Sequence, residues 1–301
     1  MKKGIALSLV LILTVGILVS FAGETEAFFG WFSSSEEEEV EKIVFADTMI
    51  EGMADFNRRF GPFKEKLEEV LGVEVEVQTV SDRTAAATAL EFNQVDIVLT
   101  GPSEYIAITS EVEVEPIVTL TRPGYKGRGY KSVFIVPADS ELETLEDLKG
   151  KKLAMKDVGS TSGHIGPSSI LIEHGFDLDQ DLDIKMLDDA RIEAMRTGDV
   201  DAVATGMRDY TMLEEEAGED AYRLIHKGAP LPNDLFIANR ELSDEFVEEI
   251  REKMLEHQDE LVAAMLETGE NPKYSNSELI IPDEESYEQM RRAYERLGLL
   301  N

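Results

Sequence analysis

From Lys42 onward, short runs of β-branched and aliphatic residues alternate with helical patterns, and this alternation constrains the fold more than any other feature. Three such runs, "KIVFA", "GVEVEVQTV" and "VDIVL", enclose two helical segments and give two successive β-α-β units. In such units the strands are parallel and the helices cover the faces of the sheet. The sequence therefore predicts an α/β fold with mostly parallel sheets flanked by helices.

The first helical segment carries one apolar face. Phenylalanine and leucine recur at intervals of three and four residues, which is typical of a helix that packs on a core; the positions are Phe56, Phe60, Phe63, Leu67 and Leu71. Gly61 and Pro62 interrupt this pattern, and proline disfavours a helix interior. We expect the helix to break there.

A second series of strands and helices begins at Lys131 and can form a core of its own. We therefore predict two lobes, with residues 42–129 and 235–301 in lobe 1 and residues 130–234 in lobe 2. The chain then crosses between the lobes twice, which places a small-molecule cleft at the hinge.

Two amphipathic helices end the sequence, one from Ser243 to about Glu267 and one from Asp283 to about Leu297. No strand pattern of their own accompanies them. We expect both to pack back on lobe 1.

The formal net charge of −33, from 62 acidic and 29 basic residues, disfavours nucleic acid and anionic membranes as partners. An acidic, well-solvated surface is typical of a halophilic protein, because salt screens the repulsion. We predict a salty habitat.

The N-terminus has the pattern of an export signal, since Lys2 and Lys3 precede an apolar run from Gly4 to Ala22. We predict that residues 1–27 are a signal peptide or a membrane anchor, and that residues 28–41 are an acidic spacer. The sequence contains no cysteine, which excludes disulfides, thiolate metal sites and lipid attachment through cysteine. No metal or other cofactor is predicted.

The segment "DVGSTSGHIGP" has the features of an anion-binding loop. Its glycines permit turns closed to other residues, and Ser160, Thr161 and Ser162 can direct hydroxyl and N–H groups to one point. Pro167 suits the first turn of the helix that follows, whose N-terminus also favours an anion. The alternative is an ordinary capped loop.

Catalysis has little support in the sequence. "GSTSG" has Thr161 where a hydrolase elbow needs serine, and His164 is only two positions after Ser162. The other three histidines lie in segments with no evident partner acid. "GYKGRG" lacks the spacing of a dinucleotide loop and is interpreted as a loop near the hinge. We predict that the protein is not an enzyme.

Four landmarks in order resemble the periplasmic phosphate, phosphite and phosphonate-binding proteins of ABC transporters: "VDIVLTGPSEY", "GYKSVFIVPADSELETLEDLKGKKLAM", "DVGSTSGHIGP" and "ARIEAMRTGDVDAVAT". The resemblance covers about Lys42 to Leu300. It implies a two-lobed type II periplasmic-binding fold that closes on a ligand and delivers it to a membrane permease.

By this resemblance, Ser160, Thr161 and Ser162 would bind the oxyanion. Tyr130 would lie close to the cleft at the crossing. Asp234 would meet the ligand, as acceptor of a P–OH proton or partner of an amino group.

Three positions depart from the family pattern. Thr100 and Arg83 stand where aromatic residues are usual, and Asp188 replaces a histidine. These changes imply a more polar ligand, with Arg83 a candidate for a bidentate contact to an oxyanion or carboxylate. The alternative for Arg83 is a surface ion pair, for instance with Asp82.

Strand ends supply further candidates, because sites in open α/β sheets lie beyond the carboxyl ends of the strands. Arg208 follows "VDAVATGM", and Asp47 and Thr48 follow the first strand.

The leading hypothesis is an exported, monomeric solute-binding protein at the outer face of the cytoplasmic membrane or in the periplasm. It would capture phosphate, phosphite or a phosphonate and pass it to an ABC permease. The alternatives are a sensor or accessory protein of the same fold for another small anion or a zwitterion, and, ranked below them, an extracytoplasmic hydrolase.

Overall fold

The computed structural model describes residues 40–48, 52–80, 83–124 and 127–300, except for the side chains of residues 83 and 84. Residues Val40–Asn301 form one compact unit. The predicted signal or anchor, and the spacer up to residue 39, lie outside the described residues. No helix within the described ranges is long and apolar enough to cross a membrane.

Strands and helices alternate as the sequence predicts. The strands of the described chain are β1 (Lys42–Asp47), β2 (Glu74–Val77), β3 (Ile97–Thr100), β4 (Val114–Leu120), β5 (Lys131–Pro137), β6 (Lys152–Met155), β7 (Asp183–Met186), β8 (Ala202–Gly206), β9 (Tyr222–Pro230), β10 (Asp234–Asn239) and β11 (Leu279–Ile280). The helices are α1 (Met53–Leu71), α2 (Arg83–Glu91), α3 (Pro102–Thr109), α4 (Gly166–Glu173), α5 (Arg191–Arg196), α6 (Met207–Ala217), α7 (Asp244–Glu256), α8 (Gln258–Leu266) and α9 (Glu288–Arg296).

These strands form two sheets. The first has the order β2-β1-β3-β10-β4-β11, and the second has the order β7-β6-β8-β5-β9. Parallel pairing joins β2, β1 and β3 in the first sheet and β7, β6 and β8 in the second, as the β-α-β pattern predicts. Antiparallel strands complete each sheet, because β10 pairs with β3 and β4, and β5 pairs with β8 and β9.

The chain leaves the first sheet after β4 and returns to it with β10. The predicted lobe boundaries stay a prediction, but sheet membership follows the same two crossings. The crossing segments are joined by hydrogen bonds: the Arg122 amide donates to Asn233 Oδ1 at 2.7 Å, and the Leu231 amide donates to the Tyr130 carbonyl at 2.9 Å. Two polypeptide segments at the hinge are therefore held side by side.

The predicted break at Gly61 and Pro62 is wrong, because α1 continues from Met53 to Leu71 with Pro62 inside it. Proline removes one backbone donor, which costs a helix about 3 kcal/mol. Five buried apolar side chains of α1 face the first sheet and offset this cost. Tertiary packing thus overrides local propensity here.

The C-terminal helices divide their contacts. The predicted single helix from Ser243 to about Glu267 is two helices, α7 and α8, which meet at His257. Both pack on α1, and α7 also packs on β4. The helix α9, in contrast, packs between α3 and α4, and so contacts elements that follow strands of both sheets. Arg296 of α9 donates to Ser169 Oγ at 3.1 Å and pairs with Glu173 at 2.8 Å, both on α4.

A phenylalanine cluster fills the core under α1. Phe63 lies 5.7 Å from Phe236 and 5.9 Å from Phe45, measured between ring centroids. All three rings are almost completely buried. Strands β1 and β10 are therefore packed against the same face of α1.

We expect Phe63→Ala to lower the free energy of unfolding by about 3–5 kcal/mol, because it removes a buried ring and leaves a cavity. Urea unfolding followed by circular dichroism measures the change. Phe92→Ala is the matched control, since Phe92 is 65% exposed and its loss should matter little. Equal effects of the two substitutions would contradict this account of the core.

Candidate ligand-binding site

A cleft of about 530 Å³ lies at the carboxyl ends of strands from both sheets. Eight of the ten predicted site residues line it: Thr48, Tyr130, Ser160, Thr161, Ser162, Asp188, Arg208 and Asp234. The strand-end argument accounts for most of them, because their segments directly follow β1, β6, β7 and β8.

The two other candidates are placed differently. Thr100 is fully buried behind the cleft wall, where its hydroxyl accepts a hydrogen bond from Thr48 Oγ1 at 3.4 Å. It therefore supports Thr48 and does not line the cavity. Arg83 begins α2, and its side chain lies outside the described residues. Asp47, beside Thr48, is buried.

Ser160 stands at the N-terminus of a helical stretch. A single π-turn, Thr161–Ile165, continues directly into α4. The amides of His164 and Ile165 both donate to the Ser160 carbonyl at 2.9 Å. The amides of the first turn have no carbonyl one turn earlier to accept their hydrogen bonds, so they are available to a ligand.

Two further helix N-termini meet at the same cleft. The residue before α3 is Gly101 and the residue before α6 is Gly206, and both line the cavity. Neither these glycines nor Ser160 caps its helix with a side chain. Because each N-terminus carries a partial positive charge, the three together favour an anion.

Glycine is required at one of these positions for close packing. A Cβ atom added at Gly206 would lie 2.9 Å from the hydroxyl oxygen of Ser162, closer than packed atoms tolerate. The end of β8 can therefore approach the hydroxyl cluster only as glycine.

The Thr161 hydroxyl is engaged by other residues of the protein, although Thr161 lines the cleft. It lies 2.7 Å from the Ser103 hydroxyl and accepts from the Ser103 amide at 3.2 Å. The Ser103 hydroxyl is also 2.6 Å from the Gly159 carbonyl. These contacts join α3, which follows the first sheet, to the loop that follows β6 of the second sheet. Thr161 thus helps to hold the two walls of the cleft together.

Tyr130 connects the hydroxyl cluster to the hinge. Its hydroxyl interacts with those of Ser162 and Thr161, and the Arg122 guanidinium stacks on its ring at 3.7 Å from the centroid. Burial raises the pKa of Tyr130, so the phenol stays protonated. Tyr130 is therefore a neutral hydrogen-bonding group at neutral pH.

Asp234 is the centre of a buried charge cluster. Its carboxylate accepts from Arg122 Nη1 at 3.2 Å, from Lys273 Nζ at 3.3 Å and from the Tyr274 hydroxyl at 2.8 Å. Burial alone would raise the pKa of Asp234, but Arg122 and Lys273 outweigh it and hold the pKa below its ordinary value. Asp234 is thus a carboxylate that already has three donors.

A second network lies behind the other wall. Arg191 pairs with Asp209 and donates to Thr205 Oγ1 at 3.2 Å. It also donates to the Asp188 carbonyl, and this contact holds Asp188 in a left-handed conformation with φ of 42°. Asp188 therefore lies at the exposed rim of the cleft in a fixed position.

A family model described as the periplasmic substrate-binding protein of phosphonate ABC transporters matches residues 49–272. The chain belongs to this family. Its two-sheet architecture is the predicted type II periplasmic-binding fold.

Individual relatives agree with this assignment. The binding protein is 27% identical over 233 residues to the phosphate-import protein PhnD of Mycolicibacterium smegmatis, which spans 73% of each chain. Among solved structures, XAC2383 from Xanthomonas citri bound to ATP has a TM-score of 0.71 at 16% identity, covering 86% of this chain and 97% of that chain. PhnD1 from Prochlorococcus marinus in complex with methylphosphonate has a TM-score of 0.69 at 18% identity, covering 87% and 100%.

Several cleft residues of the binding protein escaped sequence reasoning. The basic ones are Arg59, Arg122, Lys156 and Lys273, and buried Glu104 is an acidic one. Lys156 and Glu104 lie next to motifs that were recognised, so the strand-end rule could have found them. Arg59 and Lys273 lie in segments that carry no motif. Among the described residues, no cluster of three or more His, Asp or Glu side chains is arranged to hold a metal.

We expect Asp234→Asn to destabilise the binding protein by about 3–5 kcal/mol at pH 7, because it leaves two buried cations without their shared carboxylate. The pKa of Asp234 is lower in the folded than in the unfolded state, where it is about 3.9. Its stabilising effect is therefore fully present above about pH 4 and is lost as the pH falls through the folded value.

Urea unfolding of wild type and variant between pH 3 and 7 tests this. The stability difference should shrink towards the acid end. Asp244→Asn is the control, since Asp244 is 90% exposed and its ion pair with Arg240, at 3.7 Å, lies on the surface. A pH-independent difference for Asp234→Asn would rule out the charge cluster as its cause.

Proposed function

We propose that the protein captures a phosphorus oxyanion, either phosphate, phosphite or a phosphonate, in the cleft and delivers it to an ABC permease. The oxyanion lies against Ser160 and Ser162, with the free amides of the same turn. Thr161 and Tyr130 hold this wall in place, Thr48 lines the opposite side of the cleft, and Asp234 positions Arg122.

The convergence of three uncapped helix N-termini on one cleft carries this proposal. Backbone amides and helix dipoles bind an anion without a bulky cationic side chain. Ser160 and Ser162 add hydroxyl donors at the same point, and both are only partly buried. The curated relative from Mycolicibacterium smegmatis, described as a phosphate-import protein, supports the same ligand class.

The protein acts by binding and not by chemistry. His164 Nδ1 accepts a hydrogen bond from the Gly159 amide at 3.0 Å, so this nitrogen is engaged with the backbone and does not activate a neighbouring hydroxyl. Tyr130 is held protonated by its surroundings. Neither group is placed as a general base for the serine cluster.

Export is the expected route, with the N-terminal segment acting as signal peptide or anchor and the acidic surface suited to a salty medium. A monomer suffices, because the cleft is built within one chain. Delivery to a permease requires that the cleft opens, which must break the contacts of Ser103 with Thr161 and Gly159.

We expect Ser162→Ala to weaken binding of phosphate or methylphosphonate roughly 10- to 150-fold, the effect of losing one hydrogen bond to a charged group. Isothermal titration calorimetry on the purified protein at fixed ionic strength measures this. Ser110→Ala is the control, since Ser110 is exposed and bonds only its own helix. If no phosphorus oxyanion binds, or if Ser162→Ala binds like wild type, the proposal is wrong.

A further inference from the structure

Arg208 is a cation without a carboxylate partner in the cleft wall. Within the described residues it forms no ion pair, and its Nε atom is buried without a hydrogen-bond acceptor. A buried donor left without an acceptor is unfavourable. An anion in the cleft could accept a hydrogen bond from this Nε atom.

This situation is unusual for the chain. Ten other arginines of the described residues pair with carboxylates. With 62 acidic residues available, a surface arginine finds a partner easily. The fold instead places Arg208 in the first turn of α6, where the adjacent helix N-terminus also favours an anion.

Lys156 is a second such cation on the same wall. It lines the cleft directly after β6 and forms no ion pair with the described residues. Its aliphatic stem packs so closely on Gly163 that a Cβ atom there would lie 2.6 Å from the Lys156 side chain. The stem is thus held beside the hydroxyl cluster.

Within the described residues, neither cation forms an ion pair with the acids that line this wall, which are Asp157, Asp188, Asp189 and Asp209. Asp209 is already engaged by Arg191 and Thr205. Asp189, at the rim, is 98% exposed. The wall that follows the second sheet therefore offers two cations that form no ion pair with the described residues, in addition to the hydroxyls of Ser160 and Ser162.

The volume of the cleft also exceeds the volume of one oxyanion. A volume of 530 Å³ corresponds to about 18 water molecules at ~30 Å³ each. A bare phosphate, phosphite or methylphosphonate occupies only a small part of this space. The remaining volume is bordered by charged groups, so an apolar substituent would not suit it.

We propose that the ligand carries a second anionic group, a carboxylate or a second phosphoryl group, which Arg208 and Lys156 bind while Ser160 and Ser162 hold the first. This inference rests on the proposed function, because it assumes an oxyanion at the serines. The ligand class is then an anionic organophosphorus compound and not a simple alkyl or aminoalkyl phosphonate.

Calorimetry with four probes tests the proposal at constant ionic strength and pH. Phosphonoacetate carries the second charge, phosphonoacetamide is its uncharged match, and methylphosphonate lacks the substituent. Methylenediphosphonate distinguishes a second phosphoryl group from a carboxylate. We expect phosphonoacetate or methylenediphosphonate to bind at least tenfold more tightly than phosphonoacetamide.

The variant Arg208→Met should remove that advantage, and it should weaken phosphonoacetate binding at least tenfold more than it weakens methylphosphonate binding. Arg240→Met, which removes a surface ion pair with Glu115, is the control and should change nothing. Thermal melting verifies that both variants fold.

Equal binding of phosphonoacetate, methylenediphosphonate and phosphonoacetamide would overturn the proposal. Tighter binding of 2-aminoethylphosphonate than of phosphonoacetate would also overturn it. An equal loss for methylphosphonate in Arg208→Met would also overturn it, since Arg208 would then contact the first oxyanion. In each case binding of methylphosphonate to wild type leaves the proposed function standing. If none of the phosphorus compounds binds, the proposed function and this inference fail together.

Discussion

The buried carboxylate of Asp234 is the interaction on which the site depends. Its three donors come from two distant parts of the chain, because Arg122 follows β4 and the adjacent Lys273 and Tyr274 precede β11. The cluster fixes the point where the chain returns to the first sheet. Arg122 in turn stacks on Tyr130, whose hydroxyl meets Ser162. The position of the Ser162 hydroxyl is thus linked by direct contacts to a charge buried at the edge of the first sheet.

The cleft shows how a strongly acidic protein can bind an anion. The net charge of −33 is spread over a surface where salt screens it, whereas helix dipoles and backbone amides act over a few ångströms inside a cavity. Burial strengthens such short-range electrostatics because the local dielectric is low. The opposing acids are either engaged, as Asp234 and Asp209 are, or exposed at the rim. The arrangement of groups inside the cleft therefore determines whether it favours an anion or a cation, and the net charge of the protein does not.

Sequence reasoning succeeded where the signal is local. Strand and helix alternation identified both sheets, and the "GSTSG" pattern identified the cleft wall, because each depends on neighbours in the chain. It failed where the position of a side chain depends on a residue far away in the sequence. Asp234 contacts Arg122, which is 112 positions away in the sequence, and Lys273, which is 39 positions away. No sequence pattern predicts either contact. The direction of the Thr161 hydroxyl depends on Ser103 in the same way, and Pro62 is tolerated only because α1 packs on the sheet.

The last helix has a mechanical consequence. α9 lies between α3 and α4, so it contacts elements attached to both sheets, in addition to the two hinge crossings. A rotation that separates the sheets must slide one of these helices along α9. The hydrogen bond and ion pair of Arg296 with Ser169 and Glu173 oppose such a movement because they depend on direction and distance. The apolar contacts of α9 are less directional and oppose it less. The C-terminal helix thus restrains the separation of the two sheets, in addition to the two crossing segments.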